Sequence, residues 1–265
     1  MGAGGNIIIG SSLGSTYRLS FYVKSPALTG AGVFLHPQYV VNSASSAAFT
    51  ASVAPGEFIS LGGAGLAPAI TQAGSLPFPV TLAGVQVMIS WVDVNGLPQA
   101  VLGPLYYVSP TLIDALVPYS VPDDYSLLTF QVNNNGQTSN SARVYSGPSA
   151  PRILPYRPAE LATEQFNDYS LVSTSSPAKA SETVLIYLTG LGNVTPGVTA
   201  KAAAPANPPA KAPLPKVYIG GQEGRGGICR TDAWRGRSVP DERDDSHGCD
   251  CRQRHGRSRD LRQRE

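Results

Sequence analysis

VTLAGVQVMISWVDVNG, residues 80–96, decides the class of fold. It reads as one long apolar strand running into Asn95-Gly96, the dipeptide that tolerates the positive φ of a tight hairpin turn. The same arrangement recurs downstream. YSLLTFQV (125–132) and TSNSARVY (138–145) flank the turn NNNG (133–136). Upstream, Pro55-Gly56 precedes the strand EFISL (57–61), which Gly62, Gly63 and Gly65 are expected to break. PLYYVSP (104–110) and TLIDALVP (111–118) add short strands punctuated by proline. Turn signals return about every 8–12 residues, the spacing of a β-sandwich.

Outward from this module, TYRLSFYVKSP (16–26) alternates Leu19, Phe21 and Val23 with Arg18, Ser20 and Lys24, a half-buried strand. One strand is too little for a domain, so residues 1–37 read as the terminal strand and linker of a domain lying upstream. The first sandwich is assigned to 38–148. A partial second one is assigned to 149–223, because APGEFISLGGAGLAP (54–68) is echoed by AKASETVLIYLTGLGNVTP (178–196). LPFPVTLAGVQV (76–87) is likewise echoed by APLPKVYIGGQE (212–223). Repetition at about 100 residues implies tandem domains. The expected fold is therefore all-β: two β-sandwiches in tandem, the second incomplete, with a disordered tail over 224–265.

The pieces VVNSAS (40–45), VAPGEFISLGGAGLA (53–67), PLYYVSPTLIDALVP (104–118), SSPAKASETVLIYLTGLGNVTP (175–196), AAAPANP (202–208) and KVYIGGQ (216–222) follow one another in a telling order. Together they resemble an uncharacterised C-terminal Ig-like module, related to IPT/TIG domains, of large secreted acidobacterial proteins. Asp114-Ala115 stands where that family usually shows Asn-Phe, and Lys179-Ala180-Ser181 where it shows Lys-Pro-Gly. The resemblance implies an exported accessory sandwich pair, extracellular or at the cell surface, whose partners are neighbouring domains of a longer chain or a surface glycan or protein. It brings no catalytic residue with it.

Charge narrows the function classes. Residues 1–223 hold 9 Lys and Arg against 10 Asp and Glu, and residues 224–265 hold 11 against 8. Neither balance favours nucleic acid or an anionic membrane. No apolar run approaches the roughly 20 residues that span a bilayer, so no membrane insertion is expected. The start, MGAGGNIIIG, lacks the basic region of a signal peptide.

Candidate chemistry is thin. GGAGLAP (62–68) and TGLGNVTP (189–196) lack the Lys-Ser/Thr of a phosphate loop and read as turns. Asp123-Asp124 are adjacent on extended chain and point apart. Glu160, Glu164 and Asp168 have helical spacing, which a solvated charged turn explains equally. His36, the one histidine before the tail, sits in the apparent linker FLHPQ, and nothing positions a serine triad around it. Trp91, Tyr106 and Tyr107 could stack a sugar, but alternation sends one of each neighbouring pair into the core. No catalytic, cofactor-binding or metal residue is assigned, and no cofactor is expected. The expected role is non-catalytic, structural or adhesive. The alternative is a carbohydrate-binding appendage or part of a carbohydrate-active enzyme.

The tail offers Cys229, Cys249, Cys251 and His255, a set that suggests zinc. The Cys-x-Cys spacing is tighter than usual, and no second pair follows. Composition changes abruptly at residue 224. Dropping one base at that codon permits a Val/Thr/Gly-rich string resembling residues 101–118, so the tail reads as out of frame and its ligands as incidental.

Overall fold

The computed structural model describes residues 32–46, 52–157, 160–161, 163–165, 168–179, 182–198, 210–219, 221–226 and 249–253. Among these residues the chain is all-β, with antiparallel sheets and no helix, hence no helix long and apolar enough to cross a membrane. Ten strands occupy the first part: β1 Phe34–Asn42, β2 Phe58–Ala64, β3 Thr71–Gln72, β4 Val85–Val92, β5 Pro98–Gly103, β6 Leu105–Val108, β7 Leu112–Leu116, β8 Leu127–Asn134, β9 Gln137–Thr138 and β10 Ala142–Tyr145. They form one sheet in the order β1-β2-β7-β6-β3 and another in the order β10-β8-β4-β5, with β9 paired to β8.

Alternation explains why the two sheets face each other. Val85, Val87 and Ile89 of β4, and Leu128, Phe130 and Val132 of β8, point the same way and are fully buried. Ile59 and Leu61 of β2, Ile113 and Ala115 of β7, and Leu105 and Val108 of β6 meet them from the other sheet. Each fully buried Leu, Ile, Val or Phe contributes about 1.5–3 kcal/mol. This single shared core is a sandwich-like arrangement.

The hairpins close as their sequences ask. Asn135 (φ 49°) and Gly136 (φ 89°) form the two-residue turn between β8 and β9, both in the left-handed region that twists with the strands. Between β4 and β5, Asp93 Oδ1 accepts from the amides of Asn95 and Leu97, and Gly96 N–H returns to Asp93 O.

Two expectations are corrected here. Gly62 and Gly63 do not break β2, which continues through Ala64; the strand ends before Gly65. Nor is FLHPQ a linker. It lies in β1, with Phe34 opposite Ala64 and Leu35 opposite Gly63. Pro37 is tolerated because β1 is an edge strand whose register shifts between Leu35 and Val40. The first sandwich therefore reaches back across the expected boundary at residue 37. Residues 1–31, where the upstream strand was expected, lie outside the described residues.

The second part comprises β11 Arg152–Ile153, β12 Pro155–Arg157, β13 Glu160–Leu161, β14 Thr163–Gln165, β15 Thr183–Ile186, β16 Leu188–Thr189, β17 Tyr218–Ile219, β18 Gln222–Gly226 and β19 Cys249–Gln253. β11 pairs with β16 and β12 with β13, and a sheet runs β14-β15-β19-β18-β17. Counted along the chain, the five strands of that sheet stand in the order first, second, fifth, fourth, third. So do the five strands of the first sheet. The turns that enter β2 and β15 also share a pattern. Glu57 N–H donates to Ala54 O (3.1 Å) while Ala54 N–H donates to Glu57 Oε2 (2.7 Å). Glu182 N–H donates to Lys179 O (3.2 Å) while Lys179 N–H donates to Glu182 Oε2 (2.6 Å).

The tail departs from the expected disorder at two places. Residues 224–226 extend β18, and Cys249–Gln253 pairs with both β15 and β18. A central strand such as β15 leaves a row of N–H and C=O groups open until a second neighbour pairs with them, and backbone pairing makes little demand on side-chain type.

Candidate functional site

The residues singled out for chemistry do not converge. Trp91 ends the inward row of β4 and packs against the sandwich core. Tyr106 lies on the other sheet, edge-on to Phe58 (6.5 Å) and tilted against Phe78 (5.5 Å), its hydroxyl accepting from Gln72 Nε2. Tyr106 and Tyr107 are both half-buried, contrary to the expected one-in, one-out pattern. A register shift between Leu105 and Tyr107 lets Leu105 and Val108 take the inward positions.

The carboxylates are equally dispersed. Asp124 accepts from Ser126 Oγ (2.6 Å) and Ser126 N, which holds its carboxyl below the usual range. Asp123 instead accepts from Asn193 Nδ2 (2.9 Å). Glu160 and Glu164 sit on β13 and β14, so the shared helical face is corrected to two short strands. Glu164 is buried and accepts from the Tyr187 hydroxyl (2.9 Å). Asp168 caps the turn at Ser170, whose amide lowers its pKa first and foremost. His36 is exposed on β1 with its ring 5.5 Å from Phe34 in a T-shaped contact. Cys229 and His255 lie outside the described residues. Among the described residues no cluster of three His, Cys, Asp or Glu could hold a metal.

What does converge is the seam between the two parts. β2 enters and β7 leaves at one end of the first sandwich, and there Phe58 N–H donates to Thr189 Oγ1 of β16 (2.8 Å). Asn42, the last residue of β1, is buried, and its Nδ2 donates both to Glu57 Oε1 (2.8 Å) and to Ala150 O (3.3 Å). Ala150 N–H in turn donates to Gly190 O (2.7 Å). Gly190 has φ +83°, and a Cβ on it would run into Ala150 O, so only glycine lets the two backbones approach here. Tyr119, from the segment after β7, packs with Val194, Ala210, Ala212, Leu188 and Leu191 of the second part. Burial pushes its phenol pKa up.

Glu57 is the charged member of this seam, 1% exposed. Burial pushes its carboxyl up to about 7, against the lowering effect of hydrogen bonds from Ala54 N–H and Asn42 and of the Arg152 charge. Nearby on the outer face of the first sheet, Asp114 is raised by burial although Ser60 Oγ donates to it (2.6 Å). The sequence reading missed Asn42, Glu57, Tyr119 and Thr189. The alignment of APGE with AKASE was the available signal, since it placed a glutamate at the same point of both stretches. No family model, no curated protein and no solved structure matches the chain.

Proposed function

We propose that the chain is made of two copies of one Ig-like module, the second incomplete, and that it works as a non-catalytic structural or adhesive unit of an exported protein. The repeated glutamate-capped turn supports the duplication. The observation that carries the mechanical reading is the seam. Main-chain groups of one module are bonded to the next at Phe58–Thr189 and Asn42–Ala150, and Tyr119 is packed across it. Such a contact opposes the relative motion that linked domains otherwise show, and a spacer or adhesive stalk needs that restraint. The sugar-platform alternative loses support because Trp91 faces the core of the sandwich while Tyr106 packs on Phe58 and Phe78.

Amide ¹⁵N relaxation of the full chain tests this. One rotational correlation time shared by β4 and β15 is expected. Two independent times would sink the rigid-joint reading, and saturable binding of an oligosaccharide with shifts centred on Tyr106 would favour the sugar-binding alternative.

A further inference from the structure

An open strand edge is a template for another strand, and folded chains blunt such edges with charge, proline, irregular register or short length. The first sandwich blunts most of its edges. β1 carries Pro37 and a register shift, and Asn140 holds the amide and carbonyl of Leu35. β3 and β9 are two residues long. β10 carries Arg143, and its Tyr145 carbonyl accepts from Val53 N–H (2.9 Å). β5 is different. PQAVLG (98–103) is uncharged and keeps an unbroken register with β4 from Gly103 to Pro98. Among the described residues no strand pairs with its far side.

Alternation fixes what that far side offers. Asp93 N–H donates to Leu97 O, one step beyond the β4–β5 ladder in the same register. In an antiparallel ladder every second pair exchanges main-chain bonds, so Gln99, Val101 and Gly103 turn theirs to β4. Pro98, Ala100 and Leu102 turn theirs away. Val101 packs against the core, so the side chains of Ala100 and Leu102 lie on the outer face of the sheet. Ala100 and Leu102 each present an N–H and a C=O to the open edge. Pro98 and Pro104, equally far on either side of Val101, have no N–H, so the open donors stop at both ends.

We propose that β5 is a self-pairing edge: two copies of this chain join by it, antiparallel about Val101, into one continuous sheet with two-fold symmetry. In that register Ala100 of each copy exchanges both bonds with Leu102 of the other, and every open N–H of the edge finds a C=O. Side-chain sizes match as well, since Ala100 falls beside Leu102 and Gln99 beside Gly103. No like charges meet. β4, β5 and β8 contain no charged residue, and Arg143 stands on β10, at the opposite edge of the sheet. Met88 and Val92, exposed on β4 one strand in from the edge, extend the apolar surface that the second copy covers. A second copy is the partner because bonds, sizes and charge are all complementary under one axis. The pairing asks nothing of the joint between the two parts.

Sedimentation equilibrium of the full chain reads this first. A contact built on one strand from each copy is small, so dimers are expected to form between about 10 µM and 1 mM, the mean mass rising toward twice that of the monomer. Ala100→Pro removes half of the bonds and should weaken association about tenfold or more. Proline is tolerated there because the lost N–H faces away from β4. Ala100→Lys sets two like charges diagonally across the axis and should weaken association too. Hydrogen exchange of the wild type places the contact. Protection of the Ala100 and Leu102 amides should rise with concentration, while that of Arg143, on the opposite edge, should not. The exchange measurement needs no substitution, so it decides even where a variant fails to fold. Association that survives both variants, or Ala100 and Leu102 amides indifferent to concentration, overturns the pairing. So does a chain still monomeric at about 1 mM, in which case any strand on this edge comes from another protein.

Discussion

The Asn140 side chain meets both main-chain polar groups of Leu35. Leu35 N–H donates to Asn140 Oδ1 (2.9 Å), and Asn140 Nδ2 donates to Leu35 O (2.8 Å), 105 residues apart in the chain. One amide side chain thus acts as a short strand, clasping β1 of the first sheet to the β9–β10 connection of the second. Asn140→Ala leaves two main-chain groups of a fully buried residue without these partners, and an unmet buried group costs about 1–3 kcal/mol. A loss of about 2 kcal/mol in urea unfolding is expected. Asn140→Asp should lose at least as much at pH 7, since a carboxylate cannot donate to Leu35 O. A loss below 0.5 kcal/mol in Asn140→Ala, on the order of a neutral surface change, would remove the clasp from the account.

Because β1 begins at Phe34, the fragment 32–148 should be markedly more stable than 38–148. The shorter piece lacks Leu35, which is fully buried, and removing such a side chain costs about 2–5 kcal/mol. Thermal unfolding of the two fragments checks this; equal midpoints would mean that residues 34–37 add nothing to the sandwich.

Phe130 is the largest fully buried side chain of the core, on central strand β8. Phe130→Ala should cost about 3–5 kcal/mol, through lost burial and the cavity left between the sheets. Phe130→Leu should cost less. Denaturant midpoints measured at constant slope decide between these values and a core loose enough to collapse around the change.

Stability should depend on pH through Glu57. Its folded value of about 7 lies above the ordinary 4.5, so between those values the folded chain binds more protons than the unfolded one. That contribution is fully present below about 4.5, declines as pH rises to about 7, and is flat above it. The full span is about 3 kcal/mol. Subtracting the profile of Glu57→Gln from that of the wild type isolates it, since Asp93, Asp124 and Asp168, whose values are lowered, act with the opposite slope in acid. A difference profile without slope between pH 4.5 and 7 would contradict the raised value of the buried carboxyl.

The tail should bind no stoichiometric zinc, and a chelator should leave the thermal midpoint unchanged. β19 sets Cys249 opposite Ile186 and Cys251 opposite Val184, in a ladder held by main-chain bonds that need no metal. Zinc retained at one equivalent and lost in Cys249→Ser would reverse this. The out-of-frame reading has its own check. Removing one base near codon 224 of the gene should open a Val/Thr-rich frame, and a frame that closes at once would end that reading.

The all-β class and most strands of the first sandwich were legible in the sequence. Short-range rules govern them: Asn-Gly and Pro-Gly turns, strands such as VQVMISWV between them, and the spacing of the breaks. The echo of EFISL in ETVLIYL was legible too, and both stretches hold strands, β2 and β15, entered by a glutamate-capped turn. Other features were settled only by tertiary structure. His36 and Pro37 read as linker because a proline and polar residues mask an edge strand, and only pairing with β2 and the Asn140 clasp reveal it. Tyr106 and Tyr107 broke the alternation because a register shift is set by the partner strand. The seam was invisible for the same reason. Asn42, Glu57, Tyr119, Ala150 and Thr189 are ordinary residues scattered over 148 positions, and their meaning comes from who stands opposite them. Local sequence dictates turn and strand because those depend on neighbours in the chain. Burial of a carboxyl and the bonding of one part of the chain to the other depend on neighbours in space, which the chain acquires only by folding.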